Sequence, residues 1–459
     1  MKYALLVIFL LPALLLTGQP ADPYPPKHVP DRIILTWSED PTTTQSVTWR
    51  TDVSIKQSYA EIALINASPD FRDDTDTIPA VTEMLVTNIN AANFHSATFT
   101  GLEPGTKYVY RVGHGEYWSE WFHFKTASKK DDPFSFIYFG DAQNEIKSMW
   151  SRVIREAYST MPDIDFFVHA GDLINVANND LDWGEWFYAG GWIYGMKPNI
   201  VIPGNHEYAH VTENRNGREL SKHWKPSFTL PRNGPERLSE TVYYTDYQGV
   251  RFIGLDTPAM YADSTTVPIQ QAWLEEVLKN NPNRWTIVTQ HHPVYSTAIG
   301  RDNPKIREAF QPLFEKYHVD LVLQGHDHAY GRGHNLNYGE IHGEKGPIYV
   351  VSVSGPKMYR LSFEEWLERG ASNTQLYQII NIDGKRLNYE AYTAAGELYD
   401  AFQLVKRKSG LNDFVDQRPM GFPEITEIPS RYRKRMSDDD VKRYKKHFEE
   451  YKRRKAVRD

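Results

Sequence analysis

The 459-residue chain contains no cysteine. That excludes disulfide scaffolds, thiol nucleophiles, cysteine-held zinc and iron–sulfur clusters. Any metal must be held by imidazole, carboxylate, carboxamide or phenolate groups. The chain also lacks an apolar run long enough to span a bilayer. The unbroken run at residues 3–16 contains Pro12 and falls short of the roughly 18 residues a span requires. Positive charge is not in excess: the formal net charge of −7 offers no electrostatic footprint for nucleic acid, and no such partner is expected. Internal repeats and low-complexity tracts are absent, as are a Walker loop, a G-x-S-x-G elbow and an H-E-x-x-H helix.

What is present is an ordinary folded composition, 40% apolar and 13% aromatic, in a chain long enough for two or three domains. Lys2 precedes the apolar run, and the small residues Gly18 and Ala21 follow it. Residues 1–21 therefore read as a cleavable signal peptide, with an uncleaved anchor as the alternative. Without a lipobox cysteine, a secreted or periplasmic protein is expected.

From 22 to 126 the chain reads as short strands and turns. Tyr108, Tyr110 and Val112 alternate with Val109 and Arg111, the period of a half-buried strand, after a Pro104-Gly105 turn. Strands are expected at 33–37, 46–50, 59–65, 95–100, 107–113 and 121–126, forming a small antiparallel sandwich. No catalytic cluster lies in it. Beyond the polar stretch 127–132 the texture changes. Continuous apolar runs at 134–139, 165–169, 199–202, 250–255, 285–289 and 319–324 suit strands covered on both faces. Helical patterns at 148–158 and 270–278 alternate with them, which makes an α/β domain. The tail from 431 to 459 is basic, with 13 Lys/Arg against 6 Asp/Glu. Ser437 and the three aspartates after it start a helix whose stripe is Val441, Tyr444, Phe448 and Tyr451. It is expected to dock loosely on the acidic body, with contact to a membrane surface or polyanion as the alternative.

Ten of the 16 histidines fall between His206 and His342. Within and around that stretch five motifs each follow an apolar run: Gly140-Asp141-Ala142-Gln143, Gly171-Asp172-Leu173-Ile174-Asn175, Gly204-Asn205-His206-Glu207, His291-His292-Pro293 and Gly325-His326-Asp327-His328. The carboxyl ends of buried strands are where α/β sheets place ligand sites. Singly, such motifs are caps and turns; five in succession, all of ligand type, point to metal. Carboxylate, carboxamide and imidazole donors without sulfur suit Fe, Zn or Mn, and two ions sharing a carboxylate can clamp a displacement at phosphorus.

The order D…GDxxN…GNHE…VxxH…GHxH resembles the calcineurin-like metallophosphoesterase superfamily, and most nearly its purple acid phosphatases. HVPDRIILTWSED…QSVTWRTD and YVYRVG…WFHFKT are similar to that branch's fibronectin-III-like domain, and GHDHAY to its GHxHAYER. The resemblance spans about residues 30–404. It implies a metallophosphatase-type β-sandwich flanked by helices over 133–405, preceded by a small all-β, fibronectin-III or Ig-like sandwich over 22–126 and followed by a C-terminal extension over 406–459. It implies two metal ions, the first on Asp141, Asp172 and His328, the second on Asn205, His291 and His326, with Asp172 shared. His206 would aid the leaving group while a metal-bound hydroxide attacks phosphorus; His292 would be structural. Where the family has a metal-binding tyrosine this chain has Asn175, and where other members have D-x-H it has Gln143. A carboxamide from Gln143, or else Asn175, would complete the first site. The aromatic stretch 183–194 would form a wall of the entrance or local core, and His210, His223, His334 and His342 are candidates to line the pocket, with surface or core positions as the alternative. The implied activity is hydrolysis of small-molecule phosphate monoesters. Phosphodiesters, or a non-catalytic surface or polyanion-binding role, are the alternatives.

Overall fold

The computed structural model describes residues 22–211, 217–342 and 345–458; the expected signal peptide lies outside them. The amino-terminal unit is a two-sheet β-sandwich. One sheet runs in the order Asp31–Thr36, Gln45–Asp52, Ala91–Phe99, Val81–Val86, all antiparallel. The other is built on Tyr59–Leu64 and Lys107–His114, with Asp76–Pro79, Tyr117–Trp118 and Phe122–Lys125 alongside. Trp49, Phe99, Tyr110 and Phe124 fill the space between. Each expected strand is there. Asp76–Pro79 and Val81–Val86 were not anticipated, because edge strands with exposed residues such as Val81 and Met84 carry no clean alternation.

The larger unit stacks two seven-stranded sheets. The first has the order Asn199–Val201, Phe166–His169, Phe134–Phe139, Leu376–Asp383, Arg386–Thr393, Leu398–Lys406, Asn412–Asp416. Its first three strands are parallel and the rest antiparallel. The sheet thus continues beyond residue 405. The second sheet has Val250–Leu255, Trp285–Gln290, Leu321–Gln324 and Ile348–Val351 in parallel at its centre. Phe136 stacks on Phe166 at 5.2 Å, and Phe252 of the facing sheet meets both edge-on. These geometries add to the burial that joins the layers. The parallel strands of both sheets end on one side, where the five motif loops emerge.

Two contacts tie other segments to this body. Arg32 and Arg50 of the sandwich reach Asp180, which opens the helix Asp180–Gly190. The carboxy-terminal helix Asp438–Arg458 begins with Ser437 and Asp440 capping each other reciprocally. It buries Tyr444 and Tyr451 against Phe363, at 5.0 and 5.6 Å. The Tyr451 hydroxyl donates to Glu424 at 2.9 Å. The expected stripe is the one used, but its contact is a packed one rather than loose.

Candidate metal centre

Each motif residue is aimed by the turn that follows its strand. Asp141, Asp172, His326 and His328 all have left-handed backbone, with φ of 49°, 53°, 75° and 40°. Non-glycine residues hold that conformation only where the surroundings over-determine it, and such strain gathers at functional sites. The loops are in close approach: a Cβ on Gly204 would lie 2.2 Å from the Asp172 carboxylate, and one on Gly325 2.5 Å from that of Asp141. Only glycine fits at either position.

The result is two overlapping cages. Ligand atoms of Asp141, Asp172 and His328 lie within 4.8 Å of one another, as do those of Asp172, His291 and His326. Asp172 belongs to both. His291 donates Nδ1–H to the Ala170 carbonyl at 2.9 Å, which turns Nε2 inward. Around that nitrogen sit Asn205 Oδ1 at 3.1 Å, His326 Nδ1 at 3.2 Å and Asp172 Oδ2 at 3.3 Å. All six expected ligands are therefore together. Gln143 is with them: its amide lies 2.6 Å from Asp172 Oδ2 and 3.1 Å from His328 Nε2, completely buried. The Asn175 side chain instead accepts from Asn144 at 2.7 Å.

Electrostatics test whether cations fit. Burial drives the Asp141 carboxyl well above the usual range. Burial also works against charge on Asp172 and His291, but each stabilises the other's ion. Asp172 is held below the ordinary carboxylate range and His291 is raised to about 9. Burial and neighbouring positive charge keep His326 and His328 neutral. Asp141 Oδ1 and Gln143 Oε1 are buried with no hydrogen-bond donor. Orphaned acceptors, carboxylates and neutral imidazoles converging on one space suit first-row divalent ions.

His206 stands beside these cages. Its backbone N–H donates to Asp172 Oδ1 at 2.8 Å, and its Nδ1 bonds the Asn175 carbonyl, so that Nε2 has no hydrogen bond among the described residues. The next residue, Glu207, was unassigned by the sequence reading and proves central to the loops. Its buried carboxylate accepts from the amides of Gly204, Asp172 and Leu173 at 2.6, 2.9 and 2.8 Å, clamping the second motif to the third. Burial with Asp172 nearby pushes its acid up to about 7, against the pull of those donors. Residues 206–210 spell H-E-x-x-H, but they form a 3₁₀ turn and the strand Tyr208–His210, so the two histidines do not share a helical face.

The remaining histidines are elsewhere. His292 lies behind His326, its ring 4.2 Å away and its Nδ1 on Thr257. His210 is exposed, His223 is buried on Asp180, and His334 pairs with Glu368; the His342 side chain lies outside the described residues. Trp183, Trp186, Phe187 and Tyr194 are core, while Tyr188 and Trp192 of the same stretch are exposed. Cations that no motif announced also reach the site: Arg301 contacts His326 and is held by Asp327 at 3.1 Å. Lys357 bears electrostatically on Asp141 and His328.

Two family models match in tandem: the purple acid phosphatase N-terminal domain over residues 30–126 and the calcineurin-like phosphoesterase over 134–330. The chain belongs to the purple acid phosphatase branch of the calcineurin-like phosphoesterases. Purple acid phosphatase 21 of Arabidopsis thaliana is 28% identical over 58% of this chain and 59% of its own length. The Fe(3+)-Zn(2+) purple acid phosphatase 12 of the same plant is 28% identical over 58% of this chain and 60% of its own. The chain thus spans less than two thirds of these relatives. Purple acid phosphatase PPD1 from yellow lupin seeds shares the fold, with a TM-score of 0.70 at 21% identity over 83% of this chain and 75% of that one.

Proposed function

We propose that this family member is an exported, metal-dependent hydrolase of phosphate monoesters. The observation that carries the reading is Asp172, one buried carboxylate common to two ligand clusters. Asp141, Asp172, His328 and Gln143 would hold one ion, and Asp172, Asn205, His291 and His326 the other. Ions bound there supply Lewis acidity and an acidified water as nucleophile. The chain's own groups do the rest. Glu207 fixes the two loops that bring Asp172 and Asn205 together. His206, its Nδ1 tied to the Asn175 carbonyl, can carry a proton on Nε2 for the leaving oxygen. Arg301 beside His326 favours the monoester over the diester, since a monoester brings one more negative charge to be matched. Export rests on the apolar run at residues 3–16; among the described residues, no helix is long and apolar enough to cross a membrane.

Asp172→Ala tests the reading. The variant should lose both metal content and turnover of an aryl phosphate. Near-native values of either would sink the shared-carboxylate site.

A further inference from the structure

The family reading assigns nothing to the C-terminal extension, yet the extension reaches the metal centre. Tyr359 is the link. Its backbone N–H donates to the His328 carbonyl at 2.9 Å, and its ring stands edge-on to the His328 imidazole at 4.7 Å. Three cations gather on that ring: Arg301 at 5.1 Å, Lys357 at 5.8 Å and, from the extension, Arg431 at 4.9 Å. Arg431 is further set by Tyr432, whose hydroxyl accepts from it at 2.7 Å and whose other neighbour is Arg360 at 5.0 Å.

Like charges repel when brought together, and Tyr359 offsets only part of that. Arg301 has one carboxylate contact, with Asp327 at 3.1 Å. Among the described residues, Lys357, Arg360 and Arg431 form no ion pair with a carboxylate. Other cations of the tail do have carboxylate partners, Arg433 in Asp438, Arg443 in Asp440 and Lys455 in Glu424. Lys357, Arg360 and Arg431 thus lie close together without a carboxylate partner where the extension meets the metal loops, and Arg431 is solvent-exposed there.

We propose that Arg431 and Lys357, arranged around Tyr359, form a subsite for a second phosphate of the substrate, so that the protein prefers esters carrying two phosphates to monophosphates. The inference rests on the hydrolase reading above. For a nucleoside diphosphate the step balances simply. Water oxygen bonds to the terminal phosphorus, the bridging P–O bond breaks, and the nucleoside monophosphate leaves with its phosphate in the subsite and a proton on the departing oxygen.

The experiment compares kcat/KM for adenosine diphosphate, adenosine monophosphate and an aryl phosphate in the wild type, Arg431→Gln and Arg431→Lys. Wild type should favour the diphosphate over the monophosphate. Arg431→Gln should cut the diphosphate value by about three- to tenfold, mainly through KM and less at high salt, as suits an exposed charge-assisted contact. The monophosphate and aryl phosphate values should stay within about twofold, and Arg431→Lys should recover much of the loss. Equal effects on all three substrates, or none, overturn the subsite while turnover of the aryl phosphate leaves the hydrolase standing. A wild type that turns over none of them overturns both.

Discussion

Asp180→Asn probes the joint between the sandwich and the metal domain. Asp180 is buried, gripping Arg32 through both oxygens at 2.8 and 2.9 Å. It also meets Asn90 at 3.1 Å, His223 at 3.2 Å and Arg50 at 3.5 Å. Arg50 has a second carboxylate, Asp31, at 2.6 Å; among the described residues, the ion pair of Arg32 is with Asp180 alone. The substitution keeps the shape and removes the charge, leaving the Arg32 guanidinium buried without a counter-ion. Breaking a buried pair from one side costs about 3–5 kcal/mol. We expect a loss of that size in urea unfolding at pH 7, and a lower midpoint at unchanged slope. The pH dependence has a definite sign. Burial pushes the Asp180 carboxyl up, but His223 and Arg32 outweigh it and hold it well below the usual range. A depressed acid stabilises the fold above its unfolded value, near 4, and loses that contribution as pH falls toward the folded value. The wild-type advantage over Asp180→Asn should therefore shrink below about pH 4. A loss under about 1 kcal/mol at pH 7, or an advantage that grows in acid, would refute the account of the joint.

His206→Ala should retain both metals while turnover falls by about 10²–10⁴, the loss being smaller for substrates with good leaving groups; loss of metal would place His206 among the ligands. The purified protein should be colourless or pale and favour divalent ions, because the Asn175 side chain is a neutral amide turned to Asn144 where the family's tyrosine gives its purple charge-transfer band. An intense visible band in the iron-loaded wild type would show a tyrosine at the metal after all, and Asn175→Tyr grown with iron is the complementary test.

The sequence by itself determined the order and type of the main elements and which side chains stand at the strand ends. Those features are local: alternation over 107–113, apolar runs such as 250–255, and glycines beside Asp141, Asp172 and His326 are legible within a few residues. Tertiary structure decided how those strand ends combine. That Asp172 lies in both clusters, that Gln143 rather than the Asn175 side chain enters the first, and that Glu207 clamps two loops depend on where chain segments cross. Arg301 and Arg431 were invisible for the same reason. They lie 130 residues apart and meet on the ring of Tyr359 only in the folded chain. Periodicity reports which face of an element is apolar, whereas the meeting of two charges depends on how separate faces pack, and no short-range pattern encodes that.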